Sequence, residues 1–108
     1  MSILFITGGF GFLGQYIVQA VHAHDPGAEL RVLVRTPRKT HVDLESLGGV
    51  RWIHGDLLKP ETYAEDLRGV DTVIHNAAMV SFRKGEAQQI FDSNVVGTRN
   101  LVQAAQRA

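Results

Sequence analysis

The stretch Ile3-Leu4-Phe5-Ile6-Thr7-Gly8-Gly9-Phe10-Gly11-Phe12-Leu13-Gly14 decides the fold. The apolar run Ile3 to Ile6 reads as a buried strand. Thr7 leads into a glycine-rich turn, after which Leu13, Ile17, Ala20 and Val21 recur at helical spacing. Strand, glycine turn and helix in this order form the first half of a dinucleotide-binding βαβ unit. The glycines have a physical purpose there. A side chain at Gly11 would block the approach of a pyrophosphate to the backbone, and one at Gly14 would push helix and strand apart. Phosphates then sit at the helix N-terminus, where unpaired N–H groups and the dipole favour negative charge.

Gly9-Phe-Gly11-Phe-Leu-Gly14 satisfies G-x-G-x-x-G, a weak signal alone in a chain with 11 glycines. The alternative is a glycine-rich βα turn that holds no ligand. The same run also satisfies Thr7-Gly8-x-x-Gly11-x-x-Gly14 and lies between a strand and a helix, which favours the dinucleotide reading. No Gly-Lys-Ser/Thr follows, which excludes a phosphate-loop NTPase.

The chain of 108 residues predicts one unit with a real core. Eleven basic residues balance eleven acidic ones, so neither nucleic acid nor an anionic membrane is expected as a partner. The absence of cysteine removes disulfides, thiolate catalysis and cysteine metal sites. No signal-like segment precedes the first strand and no apolar run approaches membrane-spanning length, so a soluble cytoplasmic protein is expected.

Outward from the glycine turn, a helix is expected from about Phe12 to His24, closed by Asp25-Pro26-Gly27. Leu30 to Arg35 predicts a second strand, apolar enough to be covered on both faces. A basic loop, Thr36-Pro-Arg-Lys-Thr40, follows. Residues 42 to 48 allow a short helix, Val50 to Asp56 a third strand, and Pro60 to Leu67 a short helix opened by its proline. Thr72 to His75 is the fourth strand. A loop from Met79 to Gly85 precedes a helix from about Glu86 to the end. The alternation predicts an α/β fold, a Rossmann-type doubly wound parallel sheet in strand order 3-2-1-4. With no glycine cap or proline stop before Ala108, the sequence reads as cut after four strands and the following helix. The fourth strand is then expected to expose an unpaired edge, and a homo-oligomer is expected.

A dinucleotide fold that prefers NAD places an acid at the end of the second strand, on the ribose 2′-OH. Arg35 stands there instead, and no Asp or Glu occurs between Glu29 and Asp43. Arg38 and Lys39 add two more positive charges, which suits a 2′-phosphate and points to NADP over NAD, although surface charges often form only a solvated loop. Asp56 in Gly55-Asp56-Leu57 is placed either to accept from the adenine amino group or to cap a helix. Asn76-Ala77-Ala78 ends the fourth strand at the carboxyl edge, where small residues let a cofactor lie against backbone. In the last helix Ala87, Ile90, Phe91, Leu101, Val102 and Ala105 form the expected apolar stripe, with Asn94 and Thr98 on the same face. Asn94 is either a satisfied buried polar residue or one that fixes a water or a backbone bend beside an active site. The five histidines show no metal-ligand spacing, and no metal is expected.

Together, Thr7-Gly8-x-x-Gly11-x-x-Gly14, Gly55-Asp56-Leu57, His75-Asn-Ala-Ala78 and Asn94-Val-Val-Gly-Thr98 resemble the extended short-chain dehydrogenase/reductase superfamily. Val34-Arg35 and Val73-Ile-His-Asn-Ala-Ala78 look most like its 3β-hydroxysteroid dehydrogenase and dihydroflavonol reductase branch. The resemblance covers essentially the whole chain. It implies that residues 1–108 are the N-terminal part of an NAD(P)-binding Rossmann domain. Cofactor contacts are implied from Thr7, Gly8, Gly11, Phe12, Leu13 and Gly14, from Arg35 with Arg38, from Asp56 and Leu57, and from Ala77 and Ala78. Asn94 is implied to support a proton-relay water. The family's Ser and Tyr-x-x-x-Lys pair are not found here: Tyr16 is followed four residues later by Ala20, and Tyr63 by Leu67. The chain alone is therefore expected to be inactive, with its small-molecule substrate bound by a C-terminal part it lacks. The expected function is the cofactor-binding portion of an NADP-dependent oxidoreductase acting on a carbonyl or secondary alcohol. An NADP-sensing regulatory module and a nucleotide-sugar epimerase or dehydratase are the alternatives.

Overall fold

The computed structural model describes residues 2–35, 42–44, 46–76, 85 and 87–108, with only the backbone of Ala87 and Ser93. Arg38, Lys39, Ala77, Ala78 and the loop up to Lys84 lie outside the described residues. The elements are β1 (Ile3–Thr7), α1 (Phe12–His24), β2 (Glu29–Val34), β3 (Val50–His54), two 3₁₀ turns (Pro60–Thr62 and Ala64–Leu67), β4 (Thr72–His75), α2 (Ala87–Phe91), a π-helical turn (Asp92–Val96) and α3 (Gly97–Arg107). The four strands pair in parallel in the order β3-β2-β1-β4. This is the doubly wound α/β arrangement that the alternation predicts.

The register brings the carboxyl ends together. Thr7 pairs with Leu33 on one side and with His75 on the other, while Val34 pairs with His54. Successive residues of the central strands point to opposite faces and fill separate clusters. Ile6, Val32 and Val34 pack with Val18 of α1, whereas Phe5 and Leu33 pack with Tyr63, Leu67, Leu101 and Ala104. α1 therefore covers one face, and α3 with the 3₁₀ turns covers the other. At the amino end, Ile3 N–H donates to the Asp71 carboxylate at 2.7 Å, and Asp71 N–H donates back to Ile3 C=O at 2.8 Å.

α1 occupies the expected residues, because its stop is local: Asp25 N–H closes on Val21 C=O and Pro26 follows. Three expectations are corrected. Residues 42–48 do not form a helix among the described residues. Val42 and Leu44 are both buried and Asp43 between them is exposed, a period of two that a helix would not give. Pro60 to Leu67 forms two 3₁₀ turns that break at Tyr63, whose ring is buried against Phe5. In the last helix the π-helical turn closes with Gly97 N–H donating to Asp92 C=O, five residues back. That wider turn rotates α3 relative to the course of a continuous α-helix. In α3 Leu101 and Ala104 reach the core, while Phe91 and Val102 of the expected stripe stand 52% and 49% exposed.

Candidate functional site

The site is the carboxyl edge of the sheet around the β1–α1 turn. Gly8 has φ +73°, in the left-handed region where glycine avoids the Cβ clash. Its carbonyl accepts from Gly11 N–H at 3.0 Å. A Cβ at Gly14 would lie 1.7 Å from Gly8 O and 3.0 Å from Asn76 Nδ2, so this glycine lets α1 meet both the turn and the end of β4. A Cβ at Gly11 would meet only Gly8 O, at 3.2 Å, and otherwise open space. Gly9 also has a steric purpose that the motif left unread, since a Cβ there would come within 2.4 Å of Val32 Cγ1.

α1 starts at Gly11 with no side-chain cap and no acidic residue in its first turn. The Phe12 and Leu13 side chains are 76% and 59% exposed, so what these residues offer the site is backbone N–H. Uncapped N–H groups at a positive helix end, bordered by backbone with no Cβ, are the donor set a pyrophosphate needs. The turn fits a dinucleotide on its own chemistry.

Arg35 follows β2 with its side chain largely in solvent, its Nε 3.8 Å from Asp56 Oδ2. Such an open pair holds the guanidinium only loosely, which leaves it free to turn to an anion. The other Asp56 oxygen accepts from Leu58 N–H at 2.9 Å, so the carboxylate closes its own turn; it does not cap the 3₁₀ turn that follows, whose N-cap is Lys59 with no side-chain cap bond. Leu57 sits between the end of β3 and α3, its carbonyl accepting from Asn100 Nδ2 at 3.2 Å and from Tyr63 Oη at 3.2 Å. Burial, with the charges of Asp56 and Glu61 adding to it, pushes the Tyr63 hydroxyl up to about 12. Tyr63 is thereby a structural residue, too weak an acid for proton transfer near neutrality.

Two buried or bridging residues escaped the sequence reading. Gln15, 3% exposed, accepts from Val42 N–H through Oε1 at 3.1 Å and so ties the segment after β2 to α1. His75, part of the His75-Asn-Ala-Ala78 motif but given no role of its own there, joins Thr7 to Thr98: Nδ1 is 2.7 Å from Thr7 Oγ1 and Nε2 is 2.8 Å from Thr98 Oγ1. Thr98 in turn donates to Asn94 C=O at 2.7 Å, and Thr7 Oγ1 accepts from Asn76 N–H at 3.0 Å. His75 is open to solvent on one side, and desolvation of the rest lowers its pKa below 6.5. A polar residue at the carboxyl end of a strand was the available signal; its partner 23 residues on was not visible. Asn94 lies within the π-helical turn. Among the described residues no helix is long and apolar enough to cross a membrane.

Residues 5–108 match the model of the 3-beta hydroxysteroid dehydrogenase/isomerase family. The chain is 40% identical over 105 residues to sterol demethylase protein B of Methylococcus capsulatus, covering 95% of this chain and 30% of that protein. It is 33% identical over 109 residues to a 3-beta-hydroxysteroid dehydrogenase of Mycolicibacterium neoaurum, covering 95% and 28%. Among solved structures, a short-chain dehydrogenase/reductase of Agrobacterium tumefaciens with bound NAD superposes with a TM-score of 0.75 at 25% identity, over 98% of this chain and 29% of that one. The chain thus spans about 30% of the length of the curated relatives it matches. The glycine turn, the strand order and these matches agree: the chain belongs to the 3-beta hydroxysteroid dehydrogenase/isomerase family of short-chain dehydrogenases/reductases.

Proposed function

We propose that this chain is the cofactor-binding portion of a cytoplasmic, NADP-dependent oxidoreductase that interconverts a carbonyl and a secondary alcohol. The observation that carries the reading is the uncapped first turn of α1 beside the close Gly8–Gly14 contact, a pyrophosphate cradle at the carboxyl edge of a parallel sheet. In this reading Thr7, Gly8, Gly11, Phe12, Leu13 and Gly14 hold the pyrophosphate through backbone. Arg35, helped by Arg38, takes the 2′-phosphate, Asp56 and Leu57 border the adenine, and Ala77 and Ala78 lie along the nicotinamide ribose. The bound nicotinamide supplies or accepts the hydride. Asn94 supports a water on the proton path. The small-molecule substrate is held by sequence beyond these residues, and the protein self-associates.

The preference for NADP is supported by Arg35 at the end of β2, with no acid between Glu29 and Asp43 to bind a ribose 2′-OH. Calorimetry on the 108-residue chain tests it. A charge-assisted hydrogen bond contributes about 1.5–3 kcal/mol, so Arg35→Ala should weaken NADP binding roughly ten- to a hundredfold and leave NAD binding almost unchanged. Equal loss for both cofactors would remove Arg35 from the 2′-phosphate.

A further inference from the structure

We infer that His75 is a positioning residue: as a neutral Nε2–H imidazole it holds the Thr98 hydroxyl against the Asn94 carbonyl and so fixes the π-helical turn that carries Asn94. The inference rests on the proposed function only in taking Asn94 to neighbour the reaction centre. The hydrogen-bond line itself is read from the chain's own atoms.

Hydrogen accounting gives the direction of the bonds at Thr98 and, for a neutral ring, of those at His75. A threonine hydroxyl has one hydrogen to donate. Thr98 gives its hydrogen to Asn94 C=O at 2.7 Å, because a carbonyl only accepts. Toward His75, 2.8 Å away, Thr98 Oγ1 must then accept, which puts a hydrogen on Nε2. In a neutral imidazole Nδ1 is then the acceptor, and Thr7 Oγ1 donates to it across 2.7 Å. Thr7 Oγ1 in turn accepts from Asn76 N–H at 3.0 Å. The line from β1 to the π-helical turn therefore runs in one sense, with no donor facing a donor. The lowered pKa of His75 agrees with a ring that stays neutral near pH 7.

Position makes the line more than local bonding. Thr7 is the last residue of β1 and opens into the glycine turn, and it pairs in register with His75. Asn94 and Thr98 stand on either side of the point where the π-helical turn passes into α3. A π-helical turn is a rare, single-turn insertion in an α-helix, and such turns are frequent at functional sites. An outside donor that orients the Thr98 hydroxyl favours the wide turn over relaxation to a regular helix. His75 connects the start of α3, where this turn ends, to β4 of the sheet.

The test is nuclear magnetic resonance on the isotopically labelled chain, first without any cofactor. Imidazole nitrogen shifts at pH 7 should show a neutral His75 with hydrogen on Nε2. Thr98→Val, which keeps the shape and removes the hydroxyl, should move the Asn94 carbonyl signal and speed Gly97 amide exchange roughly five- to tenfold. Thr98→Ser should restore both. His75→Gln, whose amide reaches toward Thr98, should retain more of the wild-type signature than His75→Asn, whose shorter side chain reaches only Thr7. If the histidine variants fail to fold, the two Thr98 variants still decide. A charged ring or an Nδ1–H tautomer at pH 7 would overturn the inference, as would Asn94 and Gly97 signals indifferent to Thr98→Val. A separate titration with NADP follows the Gly8 and Gly11 amides. Absence of binding there would overturn the proposed function while leaving the His75 assignment standing.

Discussion

A methyl group added at Gly14 and one added at Gly11 meet different surroundings, and the contrast separates packing from binding at neighbouring glycines. At Gly14 the methyl would press into backbone 1.7 Å away, which nothing can relieve without moving α1 off the turn. Gly14→Ala is expected to destabilise the chain by more than about 2 kcal/mol, visible as a lowered thermal midpoint. Gly11 has φ −68°, a value alanine adopts freely, and faces open space on its outer side. Gly11→Ala should cost at most about 1 kcal/mol of stability, mostly as a poorer helix start, yet weaken dinucleotide binding at least about tenfold. Equal effects of the two changes on stability would contradict the cradle. His75 gives a prediction of pH dependence. Its folded pKa lies below the unfolded value of 6.5, so the unfolded chain takes up the proton first as pH falls. The stability it contributes is present above pH 6.5 and is lost as pH drops through the lowered folded value. Chemical denaturation at about pH 7.5 and about pH 5.5 should show a smaller acid loss for His75→Gln than for the wild type.

At the scale of elements, α3 turns Leu101 to the core and Val102 to solvent, and a pair of neighbouring substitutions reads this face out. Leu101 is 2% exposed and Val102 49%. Leu101→Ala should destabilise by about 2–5 kcal/mol and Val102→Ala by less than about 1 kcal/mol, whereas a continuous α-helix with both in its stripe would lose stability at both. This is also where sequence and structure part company. The bounds of α1 and β4 were legible because glycine, proline and apolar runs act locally. So were the strand order and the place of Arg35, which follow from alternation and handedness. Residues 42–44 were not, because Val42 and Leu44 answer to the core and to Gln15, all distant in sequence. Nor was the register of α3, which depends on a turn that no residue type announces and on Gly97, where an added Cβ would lie 3.2 Å from Leu57 Cβ. At the site the backbone cradle could be read in advance, since a motif of glycines is itself a statement about backbone. The side-chain line through His75 could not, because its ends meet only once the sheet is built.

At the scale of the whole molecule, β4 has a partner on one side only among the described residues, and Phe91, Val95 and Val102 leave apolar surface on the outer side of the last helix. Both features favour contact with another chain. Light scattering on the 108-residue chain is expected to show dimers or larger species, and incubation with NADPH and simple ketones no turnover, since neither tyrosine has a lysine four residues on. A monomer that reduces ketones would contradict both expectations. The place of β1 in the middle of the sheet has a further consequence, for the order in which the chain can be made. Of the described strands β1 is made before the others, and β2 joins it after about 26 more residues in register (Ile3 with Glu29). Its other edge is paired by β4, with Leu4 opposite Thr72, so it stays bare until residues far downstream have left the ribosome. Parallel pairings between distant residues close slowly, because the loop between them must be ordered before any contact rewards it. The nascent chain therefore carries its most apolar strand half-paired until β4 is made, and the cofactor cradle at the end of β1 acquires its β4 wall only after its β2 wall.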